Sequence, residues 1–207
     1  MARGGGKPPA LVKMHNLTIL IPAAGTSSRM RGRDKLLELV ESQPLLRRQA
    51  AIALSQTPNV IVTLRDPDPA RRAAVQGLPL TILPIPDAAT GMSASIRAAA
   101  SVTRTALMIL PADMPDIGAD DLARLIAAAG HTPAMILRCS AGDTPGHPVI
   151  LPAALLPELA ELTGDHGAHS ILAHHAALIR LIALPDHHAL TDLDTPEDWA
   201  KWRAEHL

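Results

Sequence analysis

Aromatic residues are nearly missing from this 207-residue chain: it has two Trp, no Tyr and no Phe. Stacking platforms for single-stranded nucleic acid are thereby nearly excluded, and the core must be built from Leu, Ile, Val, Ala and Met. Cysteine is almost as scarce. Cys139 stands alone, so no intramolecular disulfide and no cysteine-based zinc site can form. That usage suits a reducing cytoplasm. No strong charge of one sign is present either, since 19 Lys and Arg face 20 Asp and Glu. A dominant polyanion-binding surface is therefore not expected, and nucleic acid is not an expected partner. No run reaches the roughly 18 apolar residues that span a bilayer, so no membrane segment is expected.

What is present is globular. Hydrophobic residues make up 47% and charged residues 19%, which excludes a disordered tail or a collagen-like repeat. The length fits one domain. Residues 1–16 are basic and rich in Gly and Pro, and they read as a disordered leader; 17–207 read as a single domain.

Short, continuous apolar runs mark strands buried on both faces, the signature of a parallel sheet. They fall at 17–21, 59–64, 81–83, 106–110, 134–137, 149–151 and 179–184. Segments of helical period lie between them, at about 45–53, 68–76, 91–101, 119–129, 153–162 and 167–175. Thr195-Pro196-Glu197-Asp198 supplies an N-cap, a first-turn Pro and acids for a last helix carrying Trp199 and Trp202. The alternation predicts an α/β fold, a Rossmann-like three-layer sandwich with a mostly parallel sheet and helices on both faces. In such sheets ligands bind beyond the carboxyl ends of the strands.

After the first strand come Gly25, Ser27, Ser28, Arg29 and Lys35. A flexible backbone, hydroxyls and fixed positive charge there suit a nucleotide triphosphate. Neither G-x-x-x-x-G-K-[ST] nor G-x-G-x-x-G occurs. A solvated polar turn is the bland alternative. Asp113, in a Pro-bounded turn after the fourth strand, can hold a Mg²⁺ that bridges phosphate oxygens, or can merely cap the next turn. Asp192 or Asp194, ahead of the last helix, supplies a second free carboxylate. Gly91, Ser93 and Ser95 open a helix, where amides and hydroxyls suit an anion or a base; N-capping by Ser93 is the plainer reading. The paired histidines 174–175 and 187–188 do not face one direction, and a dedicated zinc site is not expected. Cys139 reads as a small buried apolar residue.

Taken in order, Pro22-Ala-Ala-Gly-x-Ser-Ser-Arg-Met30 with Asp34-Lys35, Gly91-Met-Ser-x-Ser95, Asp113-Met-Pro115, Gly146-His-Pro148, Gly164-Asp-His-Gly-Ala168 and Asp192-Leu-Asp-Thr-Pro-Glu-Asp198 resemble a known family. It is that of the nucleotidyltransferases related to molybdenum cofactor cytidylyltransferase and guanylyltransferase. The match runs from about Leu17 to Trp199. The resemblance implies transfer of CMP from CTP to a molybdopterin-type acceptor, Mg²⁺ as cofactor, and a molybdoenzyme or its chaperone as recipient. GTP or a sugar or polyol phosphate are the alternatives, and a delivery protein is the non-enzymatic one. It further implies that Ala23, Ala24 and Gly25 lie beside the nucleotide, with Ser27, Ser28, Gly91, Ser93 and Ser95 around it. Arg29 and Lys35 would neutralise the triphosphate and, with Asp113, carry catalysis. Asp113 and Asp194 would ligate Mg²⁺. Gly146, His147, Pro148, Asp165, His166 and Gly167 would receive the acceptor. The Ala-Ala-Gly form of the loop resembles the CTP-using members. Two departures stand out: Ala112 where many relatives have Gly, and His169 where many have Arg.

Overall fold

The computed structural model describes residues 16–86, 91–164 and 167–206. Strands are β1 (Leu17–Ala23), β2 (Leu39–Val40), β3 (Gln43–Pro44), β4 (Val60–Arg65), β5 (Thr81–Ile85), β6 (Ala106–Ile109), β7 (Ile136–Ala141), β8 (Thr144–Leu151) and β9 (Ile179–Ala183). Helices are α1 (Leu45–Gln56), α2 (Pro69–Ala74), α3 (Met92–Val102), α4 (Ala119–His131), α5 (Leu156–Ala160), α6 (His169–His174) and α7 (Pro196–His206).

A seven-stranded sheet in the order β5-β4-β1-β6-β8-β7-β9 forms the middle layer. β1 is an interior strand, pairing in parallel with β4 through Ile19 and Val60, and with β6 through Ile19 and Met108. Its apolar run is explained by two-sided burial. Leu17, Ile19, Ile21 and Ala23 pack with Leu46 and Ala50 of α1 and Leu122 and Leu125 of α4. Leu20 points the other way, into a core shared with Ile96 of α3, Leu159 of α5 and Ile171 of α6. This is the expected Rossmann-like three-layer sandwich.

The sheet has one exception to parallel order. β8 lies antiparallel between β6 and β7, whereas β7 and β9 are parallel. Only Gly142 and Asp143 separate β7 from β8, with Gly142 at φ +55°, and so short a loop permits only a hairpin. The sequence reading saw two short strands here, at 134–137 and 149–151. The observed strands extend further into the turn because the hairpin pairs residues that break the apolar pattern, Ser140 with Pro145 and Ala141 with Thr144. The β2–β3 hairpin escapes apolar patterning altogether, being two residues on each side.

The two tryptophans have a specific task. Trp199 and Trp202 of α7 form a separate small core with Met30, Val40, Leu45 and Leu193. The Arg203 guanidinium lies 4.9 Å from the centre of the Trp199 ring, and Trp202 Nε1 donates to Asp116 at 2.6 Å. α7 is thereby fastened to the loop that follows β1. No helix among the described residues is long and apolar enough to cross a membrane.

Cys139 sits on β7 with no exposed surface. Burial, assisted by the charge of Asp121, pushes its thiol up to about 12. The native protein is therefore expected to leave Ellman's reagent unreacted at pH 8, while the denatured chain reacts in full. Prompt reaction of native protein would contradict this burial.

Candidate active site

The loop leaving β1 is held by one side chain. Arg71 of α2 is 1% exposed. Its Nε and Nη2 grip the Asp34 carboxylate at 2.7 and 2.8 Å, its Nη1 donates to the carbonyls of Ala23 and Gly25 at 2.7 Å each, and Nη2 also reaches Ser27 Oγ at 3.0 Å. A planar fork with fixed donors suits this set, as an ammonium would not. Asp68 caps α2 by accepting from the Arg71 amide at 3.1 Å, which fixes where the guanidinium emerges. Burial opposes ionisation of Asp34. The hydrogen bonds and charge of Arg71, with the Leu36 amide and the Ser27 hydroxyl, outweigh it and hold the carboxyl below its usual range.

Asp34 also starts the next turn. It accepts from the Leu36 amide at 3.0 Å and so caps the short helical turn Lys35–Leu37. Lys35 thereby reaches the carboxyl ends of the strands. Its Nζ lies 2.5 Å from Asp113 Oδ2 and 2.7 Å from Asp194 Oδ1. Arg29 meets the other oxygen of Asp194 at 2.7 Å. Burial disfavours the Lys35 ammonium, but Asp113 and then Asp194 more than compensate and raise its pKa.

The two carboxylates come from segments 81 residues apart in sequence (194 − 113), and backbone contacts bring them together. Leu193 N donates to Asp113 O at 3.1 Å. At the start of α7, Asp198 Oδ2 accepts from the amides of Asp194 and Thr195, and Thr195 Oγ1 accepts from the Asp198 amide at 3.2 Å. This is a reciprocal cap. It leaves the Asp194 carboxylate free to face Lys35. Asp192 lies nearby, and partial burial plus the charges of Asp113 and Asp194 push its carboxyl up.

Lys35, Arg71 and Asp113 line a cleft of about 170 Å³ together with Ala23, Ala24, Gly25, Gly91 and Ser95, while Asp194 stands outside the lining and joins through Lys35. A second cavity of about 300 Å³ adjoins it and shares Met92 as a wall; Arg138, His147, Gly167 and His169 line it. His147 is pushed down to about 4, by burial and then by Arg138, against the pull of Asp113. Gly146 is required by packing: a Cβ there would lie 1.9 Å from the Ala189 carbonyl oxygen, beside the 2.9 Å bond from His147 N to that same oxygen.

Most residues singled out from sequence converge here, with instructive exceptions. Ser27 does not offer its hydroxyl to the cleft, because it donates to Asp34 at 3.1 Å and accepts from Arg71. Ser28 is exposed and lies outside the cleft lining. Ser93 caps nothing. The N-cap is Gly91, and the buried Ser93 hydroxyl points to Gly167 O at 3.4 Å. Arg29 joins through its ion pair while its side chain stays 68% exposed. Among the residues expected at the acceptor, His147 and Gly167 line the second cavity, Gly146 and Pro148 are buried in β8, and Asp165 and His166 lie outside the described residues. Arg71 and Arg138 escaped the sequence reading. Only the Asp68-Pro69 helix start hinted at the first, and nothing local marked the second.

A mostly parallel sheet carrying a Gly-containing loop, a lysine and paired aspartates at its carboxyl ends defines the Rossmann-like nucleotidyltransferase class. Within it, the chain belongs to the MobA-like NTP transferase family, whose domain matches residues 19–178. It is 33% identical over 190 residues to the molybdenum cofactor guanylyltransferase of Pseudomonas paraeruginosa, spanning 89% of this chain and 93% of that protein. Among solved structures, it is similar to a Mycobacterium sp. homologue of the Mycobacterium tuberculosis protein Rv0371c, at 28% identity and TM-score 0.78, covering 92% and 96% of the two chains. It is also similar to Rv0371c itself in complex with manganese, at 25% identity and TM-score 0.74, covering 93% and 100%.

Arg71→Met removes the fork while keeping much of the side-chain volume. It strands Asp34 and two loop carbonyls, so a stability loss of about 3 kcal/mol and a nucleotide affinity lowered at least tenfold are expected. Chemical denaturation and nucleotide titration read the two effects, and a variant as stable and as tight as wild type would refute this role.

Proposed function

We propose that the protein transfers a nucleoside monophosphate from an NTP to the phosphate of a molybdopterin-type acceptor, releasing pyrophosphate. One observation carries this reading: Lys35 bridges Asp113 and Asp194 at the mouth of a cleft built from the loop after β1. The named relatives supply the acceptor class, since the curated ones are molybdenum cofactor guanylyltransferases. The recipient of the product would be a molybdoenzyme or its chaperone.

The donor set fits a divalent cation. Two hard carboxylates converge on one point where the Lys35 ammonium stands in for positive charge, and Mg²⁺ takes one or two carboxylates together with substrate phosphates. Asp113 and Asp194 would hold it, and when bound it would neutralise charge on the triphosphate. The chain's own residues supply the rest. Lys35 and Arg29 neutralise the phosphates, and Gly25 leaves the loop open, with nothing within 4 Å of where a Cβ would stand. An oxygen of the acceptor phosphate attacks the α-phosphorus in line. A new P–O bond forms as the bond to the bridging oxygen breaks, and the electron pair leaves with pyrophosphate. A phosphate dianion is already nucleophilic, so no strong general base is needed. Catalysis is positioning plus charge neutralisation.

The relatives' names favour GTP as donor. A second reading, CTP, is favoured by the loop itself. The methyl groups of Ala23 and Ala24, 1% and 4% exposed, take up space beside the cleft and suit the smaller pyrimidine.

Turnover with GTP, CTP, ATP and UTP, each with Mg²⁺ or Mn²⁺ and molybdopterin, tests the proposal through pyrophosphate release. Preference for GTP or CTP chooses between the two readings; turnover with none of the four overturns both. Asp113→Asn is expected to lower turnover roughly 10²- to 10³-fold while the fold persists. Undiminished turnover would remove Asp113 from the chemistry.

A further inference from the structure

The second cavity contains a cation that the chemistry above does not use. Arg138 lies on β7 between Leu137 and Cys139, both buried in the α1–α4 face of the sheet. Strand alternation therefore sends Arg138 to the opposite face, otherwise occupied by the apolar core around Ile96, Ile109 and Leu172. There it lines the cavity. The β7–β8 register slips between Arg138 and Ser140, and irregularities of this kind re-aim a side chain.

Arg138 is half-buried, and the protein itself supplies few acceptors to its guanidinium. Arg138 Nε donates to Gly146 O at 3.0 Å, and Nη2 has only a 3.5 Å approach to Pro145 O. No carboxylate pairs with it among the described residues, whereas Arg29, Arg33, Arg48, Arg65, Arg71 and Arg203 each meet one. Burial pushes the guanidinium down, with no neighbouring acid to offset it. His147 adds no competing charge, being neutral well below pH 7. The cavity is thus a half-apolar pocket with one strong, under-satisfied cation, separated from the nucleotide cleft by Met92.

We propose that Arg138 binds the acceptor's phosphate, holding an anionic oxygen group in the second cavity beside the nucleotide cleft. This rests on the nucleotidyltransferase reading above and extends it by naming the residue that selects a phosphorylated acceptor. His169, at the start of α6, lines the same cavity and faces the space that Arg138 enters from β7. A bidentate arginine–phosphate contact also fixes orientation, which in-line attack requires.

The test uses the full chain and two probes: molybdopterin and the same pterin after enzymatic removal of its phosphate, each titrated by pterin fluorescence with nucleotide present. Wild type is expected to prefer the phosphorylated form. Arg138→Gln should weaken binding of that form roughly 10- to 100-fold, leave the dephosphorylated form nearly untouched, and so erase the preference. Arg138→Lys should recover part of it, and adding His169→Arg to Arg138→Gln should recover more. Nucleotide titration of each variant reports whether the fold survives, and Arg138→Lys carries the test if Arg138→Gln does not fold. An unchanged preference in the folded variants, or equal weakening for both probes, overturns the proposal while leaving the reaction assignment intact. Wild type that binds nucleotide but neither pterin overturns the acceptor assignment itself, and this inference with it.

Discussion

The site depends on a buried guanidinium. The Arg71–Asp34 pair is bidentate, its arginine almost fully enclosed and its aspartate partly exposed, and a guanidinium buried to that extent is costly unless every remaining donor is satisfied. Here the remaining donors go to Ala23 O, Gly25 O and Ser27 Oγ. The loop after β1 is therefore the set of acceptors that makes burial of the charge tolerable. Two consequences reach the cleft. The carbonyl dipoles of Ala23 and Gly25 are engaged by a cation, which removes repulsion against a polyanion. Asp34, fixed by Arg71, also caps the turn bearing Lys35, so the ammonium inherits its position from a contact one residue away.

Electrostatic balance explains why the paired aspartates can be assembled in the protein alone. Asp113, Asp192 and Asp194 carry three formal negative charges against the two positive charges of Lys35 and Arg29. Burial, and then the like charges of Asp113 and Asp194, push the Asp192 carboxyl up. Lys35 removes most of the strain by bridging the other two. The same cation that keeps the pair together is within reach of any phosphate entering the cleft. Such a site has its charges arranged beforehand and need not reorganise when the reaction's own charge develops.

Much of this was legible in the sequence, for reasons that can be named. The run Leu17-Thr-Ile-Leu-Ile21 is apolar on both faces because it becomes an interior strand covered on both sides, and periodicity reads that directly. Thr195-Pro196 announces α7 through capping chemistry that is local by nature. Lys35 and Asp113 follow β1 and β6, and Asp194 precedes α7, so their places in the chain can be read from elements whose ends are predictable. Other features lie beyond local pattern. Arg71 sits in an alanine-rich stretch and looks like a solvated charge; only the three-dimensional return of α2 over the β1 loop buries it. Ser27 and Ser93 were assigned to ligands or caps because their chemistry permits it, while competing partners inside the protein claim them. Arg138 is invisible for a related reason. Its environment is set by an antiparallel hairpin that the runs at 134–137 and 149–151 do not reveal.

That hairpin divides the labour of the sheet. The cleft that suits a nucleotide is built on the parallel half, from β1 and the loop after β6, with Arg71 contributed by α2 behind β4. The adjoining cavity is built on the mixed half, from β7, β8 and the start of α6. The two halves meet at β6–β8 and share the wall formed by Met92. Charge in the first is a closed network of paired ions, whereas charge in the second is a single guanidinium with unfilled donor capacity. A network satisfied within the protein positions chemistry, and an under-satisfied cation selects what enters. Because the two rest on different strands, a change at Arg138 leaves the carboxylates and lysine of the first cleft in place.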